Sequence, residues 1–170
     1  LSASAVIEGI GGAMTVDAQG TLTDLAVDDF KRYWHRAWGE DAWAWCVANL
    51  SAGRVNEARA RVRLKVAGEG GVLVETINGE MGLDGVTVDY LAPMPKVTGV
   101  NGQATFDKTR FDIFVLGGET FGLRIREGTI FFTGLDAYDQ VAGIQLLIDG
   151  PVQDAMKLIE HEPLGFSSII

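Results

Sequence analysis

The chain has one cysteine, four prolines and two histidines in 170 residues, and each scarcity removes a class of protein. The lone thiol, Cys46, excludes an intrachain disulfide framework and leaves redox chemistry without a pair, although it does not fix the compartment. No apolar run approaches the roughly 18–20 residues that span a bilayer, and no charged-then-apolar leader opens the chain. Cations are outnumbered, 14 Lys and Arg against 23 Asp and Glu. The resulting net charge of −9 argues against a nucleic-acid-binding domain, because phosphate recognition rests on clustered cations. A hydrophobic content of 47% excludes disorder.

Glycine is what the chain has in excess, at 22 residues. With so few prolines and many short Val/Ile/Phe runs, that count favours a sheet with tight turns over a helical bundle. A chain of this length builds one domain with a sizeable core, or one piece of a larger repetitive sheet. It begins at Leu1 and ends in Phe166-Ser-Ser-Ile-Ile170, which reads as a strand cut short. We therefore expect a fragment of a longer protein, with any anchor or targeting signal outside it.

The stretch from Trp45 to Val66 joins a helical stripe to a strictly two-faced strand. Ala58, Ala60, Val62, Leu64 and Val66 alternate with Arg59, Arg61, Arg63 and Lys65. Successive strand side chains point to opposite sides, so one face is dry or lipid-facing and the other wet. The cationic row is better explained as the solvated side of a half-exposed sheet than as an anion-binding stripe.

Elsewhere, Ser2–Ile10 and Ala13–Leu25 read as a hairpin about Gly11-Gly12. Asp28 and Asp29 then open a helix carrying Phe30, Tyr33, Trp34 and Trp38, which Gly39 breaks. A second helix, Glu40–Leu50, presents Trp43, Cys46, Val47 and Leu50 on one face, and Gly53 suits its C-cap. Gly68-Glu-Gly-Gly71 ends the cationic strand and turns into a return from Val72 to Leu83, where Asn78-Gly79 is a bulge or a competing turn. Val86, Val88 and Tyr90 form a further run, stopped by Pro93 and Pro95, and Asn101-Gly102 falls in the loop beyond. Strands follow around Gln103–Phe106, Arg110–Leu116, Thr120–Arg126, Gly128–Thr133 and Val141–Asp149. A last helix starts near Pro151, carries Val152, Ala155, Met156 and Ile159 on one face, and is limited by Pro163. The expected fold is mainly β: a large curved antiparallel sheet, a β-groove or trough, with two or three short amphipathic helices. Three short helices cover too little of about eight or nine strands, so the apolar face must close on itself, pack on another sheet, or form an occupied trough.

Reactive constellations are weak. His35 and His161 lack a second ligand at metal spacing, and Cys46 sits on an apolar helical face, where a thiol behaves as a small hydrophobe. The sequence gives no reason to bring any two of Asp84, Asp89, Asp107 and Asp112 together as an acid/base pair. The glycines of 68–71 lack the lysine and following helix of a phosphate loop, and so mark a turn. The tryptophans at 34, 38, 43 and 45 suit a membrane-interface belt or ligand wall less well than anchors holding the helices to the sheet edge.

The order of short motifs resembles the AsmA-like family of Gram-negative envelopes, particularly its YhdP-type branch. The residues that carry this are Tyr33-Trp34, Trp45-Cys-Val-Ala-Asn49-Leu50 with Gly53-Arg54-Val55, and Val88-Asp-Tyr90 with Pro93-Met-Pro95. Val100-Asn101-Gly102 with Phe106-Asp107, Gly117-Gly118, and Gly150-Pro151 leading to Glu162-Pro163-Leu164 complete them. His35 stands where the pattern would have Pro, and Cys46 where it would have an aliphatic residue.

The resemblance implies one segment, spanning 1–170, of a β-groove domain in an inner-membrane-anchored protein that extends through the periplasm. Its function would be non-catalytic and without cofactor or metal, conducting phospholipid between inner and outer membranes. Its partners would be phospholipid acyl chains, adjoining segments of the same chain and other envelope proteins, with no nucleic acid. Groove contact is expected from one apolar strand set: Val62, Leu64, Leu83, Phe111, Ile113, Leu123, Ile125, Phe132 and Leu146. The alternative is an interaction module for envelope assembly whose sheet packs dry and conducts no lipid.

Overall fold

Period-two alternation repeated along the chain builds a single sheet. A computed structural model describes residues 1–9, 14–33, 40–66, 71–90 and 92–165. Its strands are β1 (Ser2–Glu8), β2 (Met14–Ala26), β3 (Leu50–Ser51), β4 (Arg54–Val66), β5 (Val72–Val88), β6 (Val97–Asp107), β7 (Arg110–Thr120), β8 (Leu123–Thr133) and β9 (Val141–Asp149). They form an open, curved, nine-stranded antiparallel sheet in the order β1-β2-β4-β5-β6-β7-β8-β9, with β3 beside β5. Apart from β3, strands next to one another in the chain pair antiparallel throughout, the one long connection being that between β2 and β4. Between β2 and β4 lie a 3-10 turn (Val27–Asp29), α1 (Phe30–Tyr33) and α2 (Glu40–Asn49); α3 (Val152–Glu160) follows β9.

Register carries the two-faced pattern across the sheet. Ile7, Val16, Leu64 and Val74 stand opposite one another on four adjacent strands, as do Gly79, Phe106, Phe111 and Phe132 further along. Directly opposed residues share a face, so these rows define one apolar side. Most of their sequence neighbours are polar and make the other side, where Asp17 pairs with Arg63 at 2.6 Å and Arg59 with Glu80 at 3.1 Å, although Val6, Leu73 and Phe131 lie there too.

A transverse line of irregularities bends the sheet. Register slips between Val55 and Ala58, Leu83 and Val86, Asn101 and Gly102, and Ile125 and Glu127, while Asp24 and Gly85 adopt positive φ. Each bulge kinks its strand and increases local twist. The main core lies on that line: Leu25, Val55, Val86, Val100, Val115 and Ile125, from six neighbouring strands, are buried with Val27 of the 3-10 turn. A second cluster joins Met94, Leu123 and Leu158, with Tyr90 and Ala155 against it. The apolar face is thus most deeply buried at the bend.

Several expectations change on this frame. Asn78-Gly79 is neither bulge nor turn; both pair in register with Arg61 and Ala60, and glycine is needed because a Cβ there would overlap the Phe106 ring. Asn101-Gly102 is not a loop but lies within β6 at a register slip against β7, where a Cβ on Gly102 would strike the carbonyl of Phe114. The run at Val86 and Val88 continues β5, and the segments around Thr120–Arg126 and Gly128–Thr133 resolve into the end of β7 and a single β8.

Gly53, at φ +66, lies in the turn between β3 and β4 and does not cap α2, because two residues of strand intervene. In α3 the inward residues are Ala155 and Leu158, whereas Val152, Met156 and Ile159 are exposed. The buried side is turned about the helix axis from the expected stripe, because Met94 and Leu123 receive Leu158 and Ala155. The glycines of the first hairpin and residues 34–39, including Trp34, His35 and Trp38, lie outside the described residues.

Candidate functional site

Two surfaces emerge from the sheet's two faces. On the apolar side, Val62 and Leu64 of β4, Leu83 of β5, Phe111 and Ile113 of β7, Phe132 of β8 and Leu146 of β9 are partly buried on one face, with Leu83, Ile113 and Leu146 packed against the main core at the bend. The remaining two residues of that expected set, Leu123 and Ile125, are each 2% exposed and packed inside the protein. Their burial under α3 and at the bend leaves them no free surface.

Beside Leu64 the face is open, with Ile7 59%, Val72 60% and Val74 38% exposed. These three were not singled out in the sequence, although the alternation of their strands carries the signal. An aromatic row crosses the same face: Phe106 to Phe111 and Phe111 to Phe132 are each 6.4 Å between ring centroids. Trp45 of α2 meets Phe132 edge-on at 6.1 Å, so the helix is tied to the sheet's face and not to its edge. The Trp43 indole N–H is buried with no hydrogen-bond partner among the described residues. Burial alone pushes the Cys46 thiol up to about 11, which holds it neutral at physiological pH.

The polar side is a network of short ion pairs. Asp17 takes two hydrogen bonds from Arg63, at 2.9 and 2.6 Å, and lies 3.6 Å from Arg61. An open trough of about 760 Å³ crosses this face, with Arg59, Arg61, Asn78 and Thr105 among its lining. The cationic row is therefore partly a trough wall.

No reactive set assembles from the carboxylates singled out earlier. Asp89 pairs with Lys96, Asp112 with Arg110, and Asp107 accepts the backbone N–H groups of Thr109 and Arg110 in the β6–β7 turn. The His161 ring stands edge-on to Phe121, with Nδ1 2.9 Å from the Glu162 carbonyl. Among the described residues no three His, Cys, Asp or Glu side chains converge as metal ligands, and no helix is long and apolar enough to cross a membrane. Comparison of the chain with protein-family models, with curated proteins and with solved structures returns no match.

Proposed function

We propose that this chain is a non-catalytic segment of an AsmA-like, YhdP-type bridge protein, located in the periplasm and holding phospholipid acyl chains against its apolar face. The observation that carries the reading is the continuous apolar row at the open end of the sheet, where Ile7, Val16, Leu64 and Val74 stand side by side and Ile7 and Val74 face outward. Acyl chains require no directional bonds, and each CH2 buried there gains about 0.8 kcal/mol. Contact falls to Val62, Leu64, Leu83, Phe111, Ile113, Phe132 and Leu146. Adjoining segments of a longer chain would extend the row.

Lipid extraction and native mass spectrometry of the purified protein test this. Co-purifying phospholipid is expected, and Leu64→Glu should remove most of it while leaving the sheet folded. Lipid-free protein, together with intact envelope function in the Leu64→Glu variant, would sink the proposal.

A second reading, a dry-packed interaction module for envelope assembly, draws on the sealed burial of Leu123 and Ile125. It also draws on the near absence of charge along the edge strands. Photo-crosslinkers at Ile7 and Ile144 separate the two, since protein adducts without lipid adducts favour the module.

A further inference from the structure

The polar trough is more ordered than a solvated sheet face requires. Strand register aligns Ser2, Thr21, Arg59, Glu80, Thr105 and Asp112 in one row across six strands. A second row, two residues along each strand, runs Ser4, Gln19, Arg61, Asn78 and Asp107. All eleven residues line the trough. With neighbouring strands about 4.8 Å apart, the longer row extends roughly 24 Å.

Much of the hydrogen-bonding capacity in these rows is taken up by no group among the described residues and faces solvent. The hydroxyls of Ser2, Thr21 and Thr105 and the amide of Asn78 have no hydrogen-bond partner among the described residues. Arg61 has only its 3.6 Å approach to Asp17, a carboxylate already hydrogen-bonded by Arg63. Charge within the lining balances, with Arg59, Arg61 and Arg110 against Glu80, Asp107 and Asp112. A polyanion would meet as much repulsion as attraction there, which disfavours nucleic acid and polyphosphate.

We propose that this trough binds a linear, uncharged glycan lying across the strands. Such a chain offers hydroxyl donors and acceptors at every ring, and the strand spacing is close to the length of one hexose in an extended chain. An extended peptide, whose backbone groups repeat at the shorter residue rise, falls out of step with the rows. Phe106, the aromatic in the lining, lays its ring over Gly79 and beside Phe111 on the apolar side, so no stacking platform is supplied by it. Binding is therefore weak, dependent on glycan length and insensitive to salt. The site is on the opposite face from the lipid reading and stands or falls separately.

Titration of the isotopically labelled chain with cellohexaose and with hexa-N-acetylchitohexaose, followed by two-dimensional NMR, tests the site. Saturable shifts at Thr21, Arg61, Asn78 and Thr105 are expected from at least one hexamer. The Arg61→Ala/Asn78→Ala double variant, altered only at exposed positions, should keep its dispersed spectrum and bind about tenfold more weakly. Failure of both hexamers to saturate, or equal binding by the double variant, would overturn the proposal. So would salt-dependent binding of polyphosphate where the hexamers fail.

Discussion

Asp17 sits between two arginines on the polar face, and its environment makes a pH-dependent prediction. The Arg63 hydrogen bonds hold its carboxyl below the ordinary aspartate value of 3.8, with the charges of Arg63 and Arg61 acting in the same direction against desolvation. A carboxyl depressed in the folded state stabilises fully above its unfolded pKa, and that contribution is lost as pH falls through the folded value. Asp17→Asn should therefore melt below the parent at neutral pH, and the gap should narrow only below pH 3.8. Thermal melts of both proteins from pH 7 downward check the sign; a gap that closes already at pH 5 refutes it. Cys46 gives a second test. A thiol at about 11 against an ordinary 9.0 has roughly a hundredfold less thiolate near neutrality, so its reaction with a disulfide reagent at pH 8 should be slower by at least that factor until the chain is unfolded.

At the scale of elements, α3 and the glycine-bearing strands show how far sequence reading reaches. Period-two alternation locates β9 and the end of β4 to the residue, because a half-buried strand must alternate, but it misses the first four residues of β4, which run into the slip between Val55 and Ala58. It divided β8 in two at Glu127, since a bulge interrupts the period without ending the strand. Asn101-Gly102 is disguised in the same way, since register slips on either side of Asn101 break the alternation without ending β6. Helical period found α3 but not its docking rotation, because Val152, Met156 and Ile159 form an apolar stripe as credible as the one that is buried.

The buried side makes a clear contrast: Leu158→Ala should cost about 2–4 kcal/mol in denaturant unfolding, whereas Val152→Ser, at a site 76% exposed, should change stability by less than about 0.5 kcal/mol. The glycines divide similarly. A Cβ on Gly102 meets backbone, so Gly102→Ala should cost about 2–3 kcal/mol with no relief from side-chain truncation. At Gly143 the obstacle is the Phe131 ring, so Gly143→Ala should cost about 1 kcal/mol and Phe131→Leu should relieve it.

For the whole molecule, the apolar rows could be read in sequence, but their division into sealed and open parts could not. That division depends on the line of bulges, which brings Val55, Val86 and Ile125 together from strands remote in the chain. The trough was equally hidden, because its rows exist only once register is known. Register also leaves β1 and β9 as outer strands of the sheet. Exposed edges are usually guarded by lysine, proline or bulges. Here β9 has no charged residue before Asp149, β1 none before Glu8, and neither contains proline. Val141, Ile144 and Leu147 are each more than half exposed along β9. Opposing this, the charge of −9 keeps copies apart until pH approaches the isoelectric point near 4.6. Reversible self-association should therefore grow with concentration and steepen as pH falls from 7 toward 5. Leu147→Lys, which adds the missing guard on the outermost strand, should weaken it without lowering thermal stability. Sedimentation velocity across that pH range reads both effects, and unchanged association of Leu147→Lys would show that the β9 edge is not where copies meet.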